Sequence, residues 1–236
     1  MNILAVGANP DDIEALCAGT LALCAKRGDK VAMCYLTMGD KGSAEIPPEK
    51  IAAIRRKEAE ASAAVIGALS FPLEIPDGHV EVTLAMRKKI VEVIRQVKPD
   101  LIITHYPHDY MSDHNYTSQL ALDASFWSGA PYFGENESRN PPVERRPAVF
   151  YMDTLCGLGF VPEEYVDITP VMETKIKMLM EHKSQIDFMK NHDGLDFAEY
   201  VRTAARYRGY QCGATYAEGF IPARVFPHVR SRRLLP

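Results

Sequence analysis

Two short stretches of the chain combine residue types that could do chemistry. Asn9-Pro10-Asp11-Asp12 sets paired carboxylates at the end of an apolar run, and residues 105–114 (HYPHDYMSDH) hold three His and two Asp. Neutral imidazole nitrogen and carboxylate oxygen together suit a borderline divalent cation, and a carboxylate outside the ligand set can accept a proton from water. Each stretch also has an ordinary structural reading. Asn-Pro-Asp-Asp is a common turn and helix cap, with Asp12 as the cap, and Asp-His at a helix start is often capping. What decides between the readings is whether the fold brings the two stretches together.

The elements around them predict that it does. Residues 3–7 and 30–37 are continuous apolar runs of the kind buried parallel strands require, with one helix between them that Lys26-Arg27-Gly28 closes. A second helix opens at Pro47-Pro48 and runs to about residues 66–67. A third strand is expected at 71–75, a third helix at 82–97 and a fourth strand at 101–104. This β-α-β alternation argues for an α/β, Rossmann-like doubly wound, mostly parallel sheet with right-handed crossovers. In the common order 3-2-1-4, strands one and four are neighbours, and the crevice beyond their carboxyl ends receives both stretches. A helix at 113–126, a surface loop at 132–146, a fifth strand at 148–152 and a helical C-terminal extension (170–189 and 195–207) complete a single domain, residues 1–236.

Composition narrows the partners. A formal charge of −4 offers no general field for nucleic acid or anionic lipid. No run approaches the length of a membrane span, and the apolar opening lacks the basic flank of a signal peptide. Five cysteines without a Cys-x-x-Cys read as reduced thiols, so the expectation is a cytoplasmic protein. Gly39, Gly42 and Ser43 do not follow a dinucleotide or P-loop pattern. Of the remaining histidines, His105 reads as a satisfied residue behind the site, with a ligand or pocket role as the alternative, while His79, His192 and His228 read as surface residues, and the basic end 230–233 as a solvated tail.

The segment ILAVGANPDDIEALCAGTLALCAKRG resembles the opening of the LmbE-like (PIG-L) zinc-dependent N-deacetylases, whose signature is Ala-His-Pro-Asp-Asp. Arg55-x-x-Glu58, Pro76-Asp77-Gly78, residues 105–114, His182-x-Ser184-Gln185, residues 205–209 and Tyr216-Ala217-Glu218 extend the likeness over nearly the whole chain, closest to the bacillithiol-type branch. The resemblance implies removal of an acetyl group from a small N-acetylated sugar conjugate. It implies zinc, or another divalent metal, on Asp12 and His114, with Asp11 as general base and Asp113 as a carboxylate that orients a site imidazole. Arg55, Asp77 and His182 fall at or near positions on the substrate side. It also implies a homo-oligomer, trimer or hexamer.

Two positions depart from that pattern. Asn9 stands where the family's first metal-ligating histidine is found, and an amide oxygen is a weaker donor than imidazole. Met111 stands where a histidine often stabilises the oxyanion, and a thioether donates no hydrogen bond. These departures leave three readings: a modified site completed by His108, Asp109 or water; a slow or specialised deacetylase; or a relative that binds sugar without hydrolysing it.

Overall fold

The computed structural model describes residues 1–134 and 138–226. Two expectations, the surface placement of His228 and the solvated tail at 230–233, lie outside the described residues. Seven strands form one sheet: β1 (Asn2–Gly7), β2 (Lys30–Thr37), β3 (Leu69–Ile75), β4 (Leu101–Thr104), β5 (Ala148–Met152), β6 (Glu164–Asp167) and β7 (Ala217–Pro222), in the order β3-β2-β1-β4-β5-β7-β6. The first five strands pair in parallel, whereas β7 runs antiparallel to both β5 and β6. The expected 3-2-1-4 core is present. The sheet then continues through two strands from the C-terminal third, which was expected to be helical only.

Both faces of the sheet are covered, which is why its central strands read as unbroken apolar runs rather than alternating ones. Successive residues supply opposite cores. Ile3, Ala5, Met33, Tyr35 and Ile103 pack on one face, while Leu4, Val6, Cys34, Leu36 and Ile102 pack on the other. The first core is closed by α1 (Asp12–Leu16), α2 (Ala18–Lys26), α3 (Pro48–Val65), α6 (Met172–Met180) and α8 (Phe197–Cys212). The second is closed by α4 (Leu84–Val97) and α5 (Ser112–Trp127). A short α7 (Lys183–Phe188) follows α6 after a break at Glu181 and His182.

The single helix expected after β1 is two helices, parted at Cys17 (φ −144°). The break frees the Gly19 and Thr20 amides from the carbonyls of residues 15 and 16, and both donate instead to the buried Glu218 carboxylate on β7, at 2.9 and 2.7 Å. A negative charge at a helix N-terminus is favourable there. Lys175 of α6, itself buried, pairs with the same carboxylate. The capping expectation for Asp12 is also corrected. Asp11 occupies the N-cap position, Asp12 is the first helical residue, and its Oδ2 accepts from Asn9 N at 2.6 Å.

Candidate active site

Strand register builds the site. In the β1–β4 pair Val6 stands opposite Thr104, so Ala8 and His105 emerge together at the carboxyl end of the sheet. There the Ala8 amide donates to His105 Nε2 at 3.0 Å. The β1–α1 turn then presents Asp12, and the first turn of α5 presents His114. Asp12 Oδ2 lies 3.3 Å from His105 Nε2, Asp12 Oδ1 lies 3.3 Å from His114 Nε2, and the two imidazoles stack with centroids 4.0 Å apart.

Asp12, His105 and His114 each offer one ligand atom within 4.8 Å of the others, and all three are buried. His105 Nδ1 and His114 Nε2 have no hydrogen-bond partner. Buried polar atoms are normally satisfied, so the orphaned His114 Nε2 facing the Asp12 carboxylate marks a place for a positive charge; on the His105 ring it is Nε2, already accepting from Ala8 N, that faces Asp12. The balance of charge and burial points the same way. Burial pushes His114 down, yet the Asp12 and Asp109 carboxylates overcome this and raise it to about 10. Burial and the neighbouring His114 lower His105, so the proton concentrates on one ring. Burial would raise Asp12, but the His114 and His105 rings hold it well below the usual carboxylate range. One oxygen and two nitrogen donors around such a point fit a divalent cation of the zinc type.

His105 was expected behind the site and stands in this triad. The signal was the register itself, since a histidine one residue past a strand parallel to β1 must come level with the end of β1. Asp113 was expected to orient an imidazole, but the carboxylate on His114 is Asp109, whose Oδ2 lies 3.1 Å from Nδ1. The loop folds Asp109 back through Asn115, whose side chain bonds both backbone groups of Asp109 at 2.7 and 2.8 Å. Asp113 instead accepts from Gly78 N at 2.8 Å and so ties the turn bearing Asp77 to the start of α5. Met111 is the N-cap residue of α5, and its amide donates to Asp109 Oδ1 at 3.0 Å. Asn9 Oδ1 accepts the Thr37 hydroxyl.

Asp11 sits at φ 106°, in the left-handed region, at a cost of about 1–3 kcal/mol for a residue with a side chain. Burial is the main reason its pKa is pushed up to about 7, with Asp12 adding to the rise and Arg55 opposing it. Arg55, expected on the substrate side, is 3% exposed and turned inward. Its Nη2 donates to Pro10 O at 2.6 Å and to Asp11 Oδ2 at 3.2 Å, and its Nη1 donates to Gly39 O at 3.0 Å. His182 likewise points into the protein. Its Nε2 lies 3.0 Å from Glu14 Oε1, a buried oxygen that also accepts from Tyr35 OH at 2.8 Å and Ser62 Oγ at 2.6 Å. The break between α6 and α7 is what turns His182 inward, while Ser184 beside it donates to Glu58 of α3.

Asp77 remains partly open. Its amide donates to Asp40 Oδ1 at 2.6 Å, and its carboxyl is raised by burial and by the Asp113 and Asp40 carboxylates against the pull of Arg55. Among the described residues His79 and His192 are exposed, as expected.

A family model described as PIG-L, GlcNAc-PI de-N-acetylase, matches residues 4–125, just over half of the chain. A diacetylchitobiose deacetylase of Thermococcus kodakarensis is 28% identical over 96% of this chain and 85% of its own. A probable N-acetyl-α-D-glucosaminyl L-malate deacetylase of Bacillus cereus is 27% identical over 80% of this chain and 85% of its own. Among solved structures, a 4-carboxy-2-hydroxymuconate hydratase of Pseudomonas putida superposes with a TM-score of 0.81 at 25% identity, covering 99% of this chain and all of that one. The sheet order, the Asp-Asp turn after β1, the Asp-His pair opening α5 and the span of the family match agree: the chain belongs to the PIG-L, or GlcNAc-PI de-N-acetylase, family.

Proposed function

We propose that the protein is a metal-dependent hydrolase that removes the acetyl group from a small N-acetylated sugar conjugate. The observation that carries this reading is the buried Asp12–His105–His114 triad with the Asp11 carboxylate beside it at the end of β1. Asp12, His105 and His114 would hold a divalent metal, which would supply Lewis acidity and lower the pKa of water at the site. The chain's own residues do the rest. Asp11, with a pKa near neutrality, accepts the proton as water adds to the acetamide carbonyl and returns it to the departing nitrogen when the C–N bond breaks. Acetate and a free amine result. Asp109 fixes the His114 tautomer through Nδ1, leaving Nε2 for the metal. The partly open Asp77 carboxylate is suited to accept from sugar hydroxyls.

His105 bears on the departure at position 9, because it supplies the second imidazole that Asn9 does not. Met111 supplies no donor for the oxyanion, and loss of one such donor typically lowers kcat by about 10²–10³-fold. A sugar-binding relative with little turnover is the reading that Asn9 and Met111 favour instead. Zinc is the metal the donor set suits best. Five unpaired cysteines suit a reducing, cytoplasmic setting, and a homo-oligomeric assembly rests on the family resemblance.

The test joins metal analysis of protein purified without chelator to acetate release from N,N′-diacetylchitobiose and N-acetylglucosamine conjugates. Bound metal with acetate release supports the hydrolase. Sugar binding with negligible turnover, raised by Asn9→His, supports the binding relative. Absence of both bound metal and acetate release overturns the proposal.

A further inference from the structure

Helix α1 carries Asp12 and follows directly on Asp11, yet little within it explains why it holds. It has five residues, well short of the length at which a helix is stable alone, and its N-cap Asp11 makes no side-chain cap. Its support comes from Glu14, which is fully buried. Three elements converge on Glu14 Oε1: Tyr35 OH of β2 donates at 2.8 Å, Ser62 Oγ of α3 donates at 2.6 Å, and His182 Nε2, at the break between α6 and α7, lies 3.0 Å away. A buried carboxylate is costly unless hydrogen bonds and an opposite charge meet it. Tyrosine and serine bring only the first, whereas an imidazole can bring both. Burial pushes the His182 ring down, but the Glu14 carboxylate outweighs it and the ring sits above its ordinary value.

His182 is itself held from elsewhere. Before it, α6 is anchored by Met178 and Leu179, both fully buried in the core, and beyond it Ser184 donates to Glu58 of α3 from its amide and its hydroxyl, at 2.8 and 2.6 Å. Ring and carboxylate thus join α1 to a corner that other elements fix. Glu14 stands two residues beyond Asp12, so whatever holds Glu14 also holds the turn before it. We propose that the buried Glu14–His182 pair is a pin that keeps α1, and with it the Asp11–Asp12 turn, in the place the metal triad needs, which makes His182 a positioning residue for that triad.

The inference rests on Asp12, His105 and His114 as the metal ligands of the proposed hydrolase, and two measurements separate the two claims. The first is zinc titration of the folded, full-length protein in competition with a chelator. His182→Leu is expected to weaken zinc binding by about 10-fold or more, although the ring meets Glu14 and not a ligand. His182→Gln, which keeps an N–H donor near the place of Nε2, should stay within about threefold of wild type. Unchanged affinity in His182→Leu overturns the proposal. So does a His182→Gln as weak as His182→Leu, because ring packing rather than the contact with Glu14 would then be what counts.

The second measurement needs no metal. Hydrogen exchange compares the amides of Ala15 and Cys17, which donate to Asp11 O and Ile13 O, with the amides of β1 and β4. In metal-free His182→Leu the α1 pair is expected to speed up by about 10-fold more than the strands, as a local opening does. An equal rise throughout marks a general loss of stability and overturns the pin. If His182→Leu does not fold, Glu14→Gln, which removes the charge and keeps the size, takes its place with the same two readouts and the same expected losses. If wild type binds no zinc, the metal-dependent reading fails, while the exchange comparison still decides the pin.

Discussion

Gly19, the second residue of α2, tests how tightly this helix is seated. Adding a methyl group there pits two effects of opposite sign against each other. Replacing a helical glycine by alanine usually stabilises by about 0.5–1 kcal/mol, through helix propensity and a less flexible unfolded chain. Here the new Cβ would lie 2.7–2.9 Å from Cγ2, Cβ and Cδ1 of Ile168. Ile168 is fully buried and β-branched, so no flexible end can swing away. Overpacking of this kind costs about 1–3 kcal/mol, so the steric term wins and Gly19→Ala should destabilise by about 0.5–2 kcal/mol net. In an Ile168→Ala background the Cγ2 and Cδ1 contacts are gone and only the one with Cβ, at 2.9 Å, remains, beside space into which either methyl can shift. Ile168→Ala is itself expected to cost about 2–5 kcal/mol, and adding Gly19→Ala to it should cost less than the same change in the wild type, because two of the three close contacts are gone. Urea denaturation of the four proteins at equal metal loading measures the cycle, with unchanged m-values as the check that the unfolding transition is the same. The reasoning is refuted if Gly19→Ala stabilises the wild type, or if its effect has the same sign and size in both backgrounds.

Three further outcomes follow from the site and its supports. Asp11 has a folded pKa of about 7 against an unfolded value near 3.8, so the folded state binds more protons between those values and its stability falls as pH rises through that window. In chelated protein the stability of Asp11→Asn relative to wild type should therefore climb from about pH 4 to 7 and then level off, and a flat difference over pH 4–8 would contradict the burial argument. Asp109→Asn should weaken metal binding by about 10–100-fold and Asp12→Ala or His105→Ala should weaken it further; metal titration followed by fluorescence or calorimetry reads both, and undiminished affinity in His105→Ala would remove it from the ligand set. Lys175→Met strips the buried Glu218 carboxylate of its cation and should destabilise by about 3–5 kcal/mol, with Glu218→Gln restoring part of the loss in the double variant, as thermal or urea unfolding will show.

The parallel core was legible because burial on both faces leaves unbroken apolar runs, and the strand order then placed Asp12 and His114 in one crevice. Strands β6 and β7 were not legible. Glu164-Tyr165-Val166-Asp167 and Ala217-Glu218-Gly219 mix charge and glycine into short segments whose pairing is set by antiparallel neighbours rather than by their own pattern. The break at Cys17 was hidden because the groups that stabilise it, Glu218 and Lys175, lie far along the chain. Asp109 was passed over for Asp113 because the choice depends on how Asn115 folds the loop back, and residue spacing does not encode that. Arg55 lies against Asp11 and His182 against Glu14, and which way such a side chain turns is decided by packing, here the space beside Gly39 and the buried acceptor at Glu14.

The three residues of the candidate metal triad come from opposite halves of the β1–β4 pair, with Asp12 separated from His105 and His114 by roughly a hundred residues, so they become neighbours only once that long-range pairing has closed. A zinc finger gathers its ion while folding around it, but here the ion has no site to nucleate on until the sheet is assembled. If these residues hold a metal as proposed, synthesis would yield a folded, metal-free protein first and a loaded one second, and metal supply rather than folding speed would set the loaded fraction.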